Sequence, residues 1–265
     1  MWLRVGCDLE MEFELASPML LLLRPRSDAR QWVARDRYAV WPAMPVTEYT
    51  DMYGNLCQRL MAPPGTFRVE VRSDVQVPAG VDQAPGAAFV PVEDLPDHAM
   101  MYLAPSRYCE SDRLASLAGE IVDGRAPGYD QAAAISDWIH ANLVYLIDSD
   151  PTPVSAAEAL ARGNGVCRDF AHLGIALCRS LTIPARQVVG YLHGLEPMDL
   201  HAWFEAFVGD RWFTFDPTRT SMHGGRVCLA YGRDAADVPV FNQFGPPVIP
   251  SRMEVSVDEI SSPGA

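Results

Sequence analysis

The sequence predicts an α+β protein: an antiparallel β-sandwich over residues 1–105, then helices packed on an antiparallel sheet over residues 106–265. Apolar residues in the first part recur at period two. Leu9-Glu10-Met11-Glu12-Phe13-Glu14-Leu15 and Thr66-Phe67-Arg68-Val69-Glu70-Val71-Arg72 both have the pattern of half-buried strands. Helical periodicity is absent there, and prolines are spaced throughout. After Ser106 the period becomes helical, and after Pro184 it returns to that of strands.

Taken in order, Val46-Thr47-Glu48-Tyr49 and Leu56-Cys57-Gln58-Arg59-Leu60 flank a turn at Asp51-Met52-Tyr53-Gly54-Asn55 and read as a hairpin. The expected role of this β region is structural, walling one side of a cleft. Residues 79–105, rich in Pro and Ala and carrying Glu93, Asp94 and Asp97, read as the link between domains. Leu114, Leu117, Ala118, Ile121 and Val122 fit one helix. Asp130 is placed to cap a second, with Ala133, Ala134, Trp138, Ile139 and Leu143 as its apolar face. Trp138 reads as core, and His140 as a solvated or hydrogen-bonded helix residue. Ser155 and Glu158 form a capping box, and Gly163 ends that helix. Arg186–Leu192, Leu200–Val208, Arg211–Phe215, Val227–Tyr231 and Met253–Val257 read as strands.

Chemistry concentrates after Gly163-Asn164-Gly165. Phe170, Leu173, Leu177 and Leu181 follow at helical spacing, so Cys167 falls at a helix N-terminus. Unpaired N–H groups and the positive end of the helix dipole stabilise a negative sulfur there, and the same N–H groups can hold an oxyanion. Gly209-Asp210 joins the strand that His201 begins to the strand that Asp216 follows, so a hairpin brings the two side chains together. Nucleophile, base and carboxylate then stand in the order Cys167, His201, Asp216. Asp169 reads as a helix cap, His172 as packing beneath the site, Cys178 as core, and His193 and His223 as loop residues.

The Gly165-Val166-Cys167-Arg168-Asp169-Phe170-Ala171-His172 run, the His201-Ala202-Trp203-Phe204-Glu205 strand and the Asp216-Pro217-Thr218 turn together resemble the bacterial branch of the transglutaminase-like superfamily. The resemblance implies a papain-like core behind an N-terminal β domain. It makes Cys167 the nucleophile, His201 the general base and acid, and Asp216 the group that orients the imidazole. Members include protein-crosslinking acyltransferases, peptidases, amidases and proteins of no known activity. Gly232–Pro239 also resembles the family's tail segment, which lies near the cleft, while Val240–Gly245 is less glycine-rich than the usual continuation.

Length and composition bound the rest. The chain has 265 residues, 49% hydrophobic, a net charge of −13 and a pI near 4.8. That charge argues against nucleic acid and anionic membrane as partners and favours a basic or neutral substrate. The run Met19–Leu23 is too short for a signal peptide and follows Asp8, Glu10, Glu12 and Glu14, where positive charge belongs. Six cysteines without zinc-finger spacing point to no structural metal and to a reducing compartment. A cytoplasmic enzyme without metal or cofactor is therefore expected. Its partner is a peptide, protein or amide substrate, and hydrolysis is favoured over amine transfer because nothing resembles an acidic calcium loop. A non-enzymatic scaffold on the same fold is the third class. Cys167 N–H would hold the oxyanion, with Tyr145 a candidate second donor.

Overall fold

Period two holds along β1 (Trp2–Phe13), where Leu3, Val5, Cys7, Leu9, Met11 and Phe13 are all buried. The strand stops there: Leu15, read from the sequence as its continuation, is 62% exposed. The computed structural model describes residues 1–146, 152–219 and 223–264. β2 (Ser17–Leu21), β3 (Trp32–Trp41), β4 (Val46–Thr50), β5 (Leu56–Ala62) and β6 (Gly65–Gln76) follow, and β4 and β5 form the expected hairpin. Met19, Leu21 and Leu23, from the apolar run weighed as a leader, lie in the core between the two sheets.

Residues 79–105 do not behave as a bare link. They carry α1 (Asp97–Met100) and lie against the second half of the chain: Ala87 and Phe89 pack on the helical core, and Leu95 and Ala99 pack on Phe207. α2 (Ala115–Ile121) and α3 (Tyr129–Asn142) come next. Asp130 is not the cap of α3. Gly128, at φ 108°, takes that position, and Asp130 accepts instead from the Gly86 N–H at 3.0 Å. The buried face of α3 accordingly turns to Tyr129, Ala132, Ile135 and Ile139, with Ala133 and Trp138 only partly covered.

β7 (Val144–Tyr145), α4 (Ala156–Arg162) and β8 (Asn164–Gly165) lead into α5 (Cys167–Ser180). β9 (Ala185–Leu192), β10 (His201–Val208), β11 (Arg211–Phe215) and β12 (Arg226–Gly232) form an antiparallel sheet in the order β11-β10-β9-β12. α5 packs on β10 and β9, coming so close at Gly174 that a Cβ there would stand 2.4 Å from the Phe204 ring.

The last strands, β13 (Phe241–Gln243) and β14 (Arg252–Ile260), leave this sheet and return to the sandwich. Its two sheets are ordered β14-β1-β6-β3 and β13-β2-β5-β4. A single cut at residue 105 therefore does not divide the chain by structure: the strand read at 253–257 pairs with β1, burying Val257 with the sandwich core. That core also takes in Tyr191 of β9 and Val227 and Leu229 of β12, so the two parts share apolar packing.

Candidate active site

Cys167 opens α5 behind Val166, whose extended backbone (φ −103°, ψ 178°) marks the helix boundary. Asp169 accepts from the Val166 N–H at 3.1 Å, as its reading as a cap requires. The cysteine is half-buried and lines a cleft of about 1010 Å³ together with His201. β7 pairs with β8 in parallel, Tyr145 opposite Gly165, and this sets the Tyr145 ring edge-on to Phe170. Its hydroxyl is near enough to Cys167 for the sulfur and the backbone N–H to bear on its titration. Burial, then the neighbouring sulfur, raise its pKa well above that of an ordinary phenol.

The hairpin of β10 and β11 pairs Phe204 with Phe215, which sets Asp216 opposite Trp203 and diagonal to His201. Diagonal neighbours on one face lie within side-chain reach. His201 Nε2 donates to Asp216 Oδ2 at 2.9 Å, with both side chains almost wholly buried. That fixes the tautomer, leaving Nδ1, which has no hydrogen-bond partner among the described residues, as the nitrogen that can serve the thiol. Burial alone would lower the His201 pKa; Asp216 and the adjacent Cys167 outweigh it and raise it to about 9. Burial likewise pushes Asp216 up, but His201, Arg226 and Thr218 hold it below the usual carboxylate range.

Two of these partners were not singled out in the sequence. Arg226 Nη2 donates to the same Asp216 oxygen at 3.0 Å, and Thr218 Oγ1 donates to the other at 2.7 Å. The Asp-Pro-Thr turn pointed to the threonine, whereas Arg226 arrives from β12, three strands from β11 in the sheet. His140, on the exposed side of α3, has its Nδ1 3.0 Å from the Pro217 carbonyl and lines the cleft.

His172 does pack beneath the site. Fully buried and stacked on Tyr108, it donates from Nδ1 to the Val154 carbonyl at 2.9 Å and accepts at Nε2 from the Ala235 N–H at 3.2 Å. Burial lowers its pKa, which keeps the ring neutral as those bonds need. Ala235 and Val238, in the segment read as the family's tail, line the cleft, as do Phe241 of β13 and Met253 of β14. The sandwich thus walls the cleft through strands from the far end of the chain. Among the described residues no three His, Cys, Asp or Glu side chains come together as a metal site, and no helix is long and apolar enough to cross a membrane.

Comparison with known proteins agrees with this architecture. Residues 115–217, which contain Cys167, His201 and Asp216, match the model of the transglutaminase-like superfamily, and residues 15–78 match that of the bacterial transglutaminase-like N-terminal region. An uncharacterised protein of Mycobacterium leprae is 30% identical, with 82% of each chain covered. One from Mycobacterium tuberculosis is 27% identical over 82% of this chain and 78% of its own. The crystal structure of a putative cysteine protease from Cytophaga hutchinsonii superposes with a TM-score of 0.91 at 34% identity, covering 99% of this chain and 91% of that one. With both regions matched and the likeness running the length of the fold, the chain belongs to the transglutaminase-like superfamily, in the bacterial form that joins a β-rich N-terminal region to a cysteine-bearing core.

Proposed function

We propose that the chain carries out cysteine-dependent acyl chemistry on an amide or peptide through a thioester on Cys167, with hydrolysis as the outcome. One observation carries this reading: His201 is held by Asp216 through Nε2, leaving its buried Nδ1 for a cysteine in the first turn of a helix. Cys167 passes its proton to His201, and the sulfur attacks the scissile carbonyl, forming the S–C bond while the π pair moves to oxygen. The Cys167 N–H and the Tyr145 hydroxyl receive the oxyanion, a role supported by the hydroxyl's nearness to Cys167. Collapse breaks the C–N bond, and His201 returns the proton to the leaving amine. Water, deprotonated by His201, then attacks the thioester, releasing the acid and restoring the thiol. An amine arriving in place of water gives transfer instead.

The test is alkylation of Cys167 by iodoacetamide across pH, followed by peptide mapping. Cys167 is expected to react near pH 6–7, and His201→Ala to slow it there by about tenfold or more. An inert Cys167, or one indifferent to His201, would sink the reading and leave a binding protein on this fold. Hydrolysis of an acyl donor compared with incorporation of a labelled amine from the same donor then separates the two outcomes.

A further inference from the structure

The cleft beside Cys167 and His201 is lined by acids as well as cations, and one of the acids is Asp199. Asp199 lies two residues before His201 and lines the same cleft. It accepts from its own neighbour, the Leu200 N–H, at 2.7 Å, and among the described residues it forms no ion pair. Solvent reaches it through the cleft, yet surrounding protein pushes its carboxyl pKa up, and it is near enough for its charge to bear on Tyr145 and for that of His201 to act on it. Arg168 and Arg219 line the same cleft, but among the described residues neither forms an ion pair with Asp199. Arg168 is bound to Asp169 at 3.2 Å and to the Thr152 carbonyl at 3.1 Å, while Arg219 stands beyond Asp216, close enough to Arg226 to oppose its charge.

We infer that Asp199 selects substrates with a positive charge next to the reactive acyl group, such as a lysine or arginine side chain flanking the scissile amide. This rests on the acyl chemistry proposed above. A cation brought to Asp199 replaces lost hydration with a charge-assisted contact, and so steadies the acyl group over Cys167. The molecule's overall acidity would add a general pull on cations, so any test must separate Asp199 from the net charge of −13.

Modification of Cys167 in the full chain by cationic aminoethyl methanethiosulfonate, relative to neutral methyl methanethiosulfonate, reads this directly. Asp199→Asn is expected to lower the ratio by on the order of threefold to tenfold, and Asp199→Lys to bring it below parity. Glu120→Gln, at an exposed acid on α2, should leave it unchanged. A ratio untouched by Asp199→Asn, or lowered as much by Glu120→Gln, overturns the inference. The neutral reagent's dependence on His201 reports on the acyl chemistry separately, so either idea can fail without the other.

Discussion

Two opposed effects meet on His201. Burial disfavours its imidazolium, Asp216 favours it, and the pKa settles at about 9 against an ordinary 6.5. The stabilisation linked to His201 is therefore complete below about pH 6.5 and is lost as pH rises through 9. Asp216 runs the other way: its contribution is present above its ordinary value of 3.8 and falls away below it. Urea unfolding should show a drop in stability between about pH 6.5 and 10. Asp216→Asn should shrink that drop, since it removes the group that raises His201; an undiminished drop would assign it to other titrations. The three candidate site residues, which the fold brings together, could be picked out because each sits in its own short motif, and the same was true of Asp169 as a cap. Arg226 could not, because strand pairing brings it to Asp216, and neither could Asp199, the proposed cation contact, because its place comes from the shape of the cleft, which no local pattern announces.

At the scale of elements, the site depends on how closely β12 approaches β9. Gly190 pairs with His201 on one side and Cys228 on the other, where β12 shifts register. A Cβ at Gly190 would stand 2.1 Å from the Val227 carbonyl and 2.9 Å from the Trp203 ring. Gly190→Ala must push β12 away, and with it Arg226 from Asp216. The expected cost is about 1–3 kcal/mol, typical of overpacking, read as a lowered midpoint in urea together with slower alkylation of Cys167. Full stability with full reactivity would show that β12 can give way freely. Strands with strict alternation, such as β1 and β6, could be read from the sequence. β2 escaped because its leucine run alternates with nothing polar, and the cap of α3 was misplaced because the backbone of residues 87–89 packs against Gly128 at a φ of 108°, a contact that no local pattern shows.

The whole molecule is stitched by side chains that stand in for strand pairing. Gln31 gives its amide to both sides of Cys228, accepting from its N–H at 2.7 Å and donating to its carbonyl at 2.9 Å, and Asn55 does the same for Tyr231 at 2.8 Å each. These sandwich residues cover the outer edge of β12, while Arg30 reaches Glu205 beneath the sheet. None of this was visible in the sequence, since a glutamine in a loop carries no mark of its partner 197 positions away. Shared packing of this kind predicts one unfolding transition for both parts. Trp2, Trp32 and Trp41 report on the sandwich, and Trp138, Trp203 and Trp212 on the rest, so variants keeping one set each can follow the parts separately. Both sets should give the same midpoint. Gln31→Ala, which leaves the Cys228 N–H and carbonyl without their amide, should lower both together by about 1–3 kcal/mol. Two midpoints, or a shift confined to one set, would mean that the parts fold independently and that the edge of β12 is a mere contact. A common shift would mean that the sandwich holds in place the strand that carries Arg226, and through it Asp216 and His201.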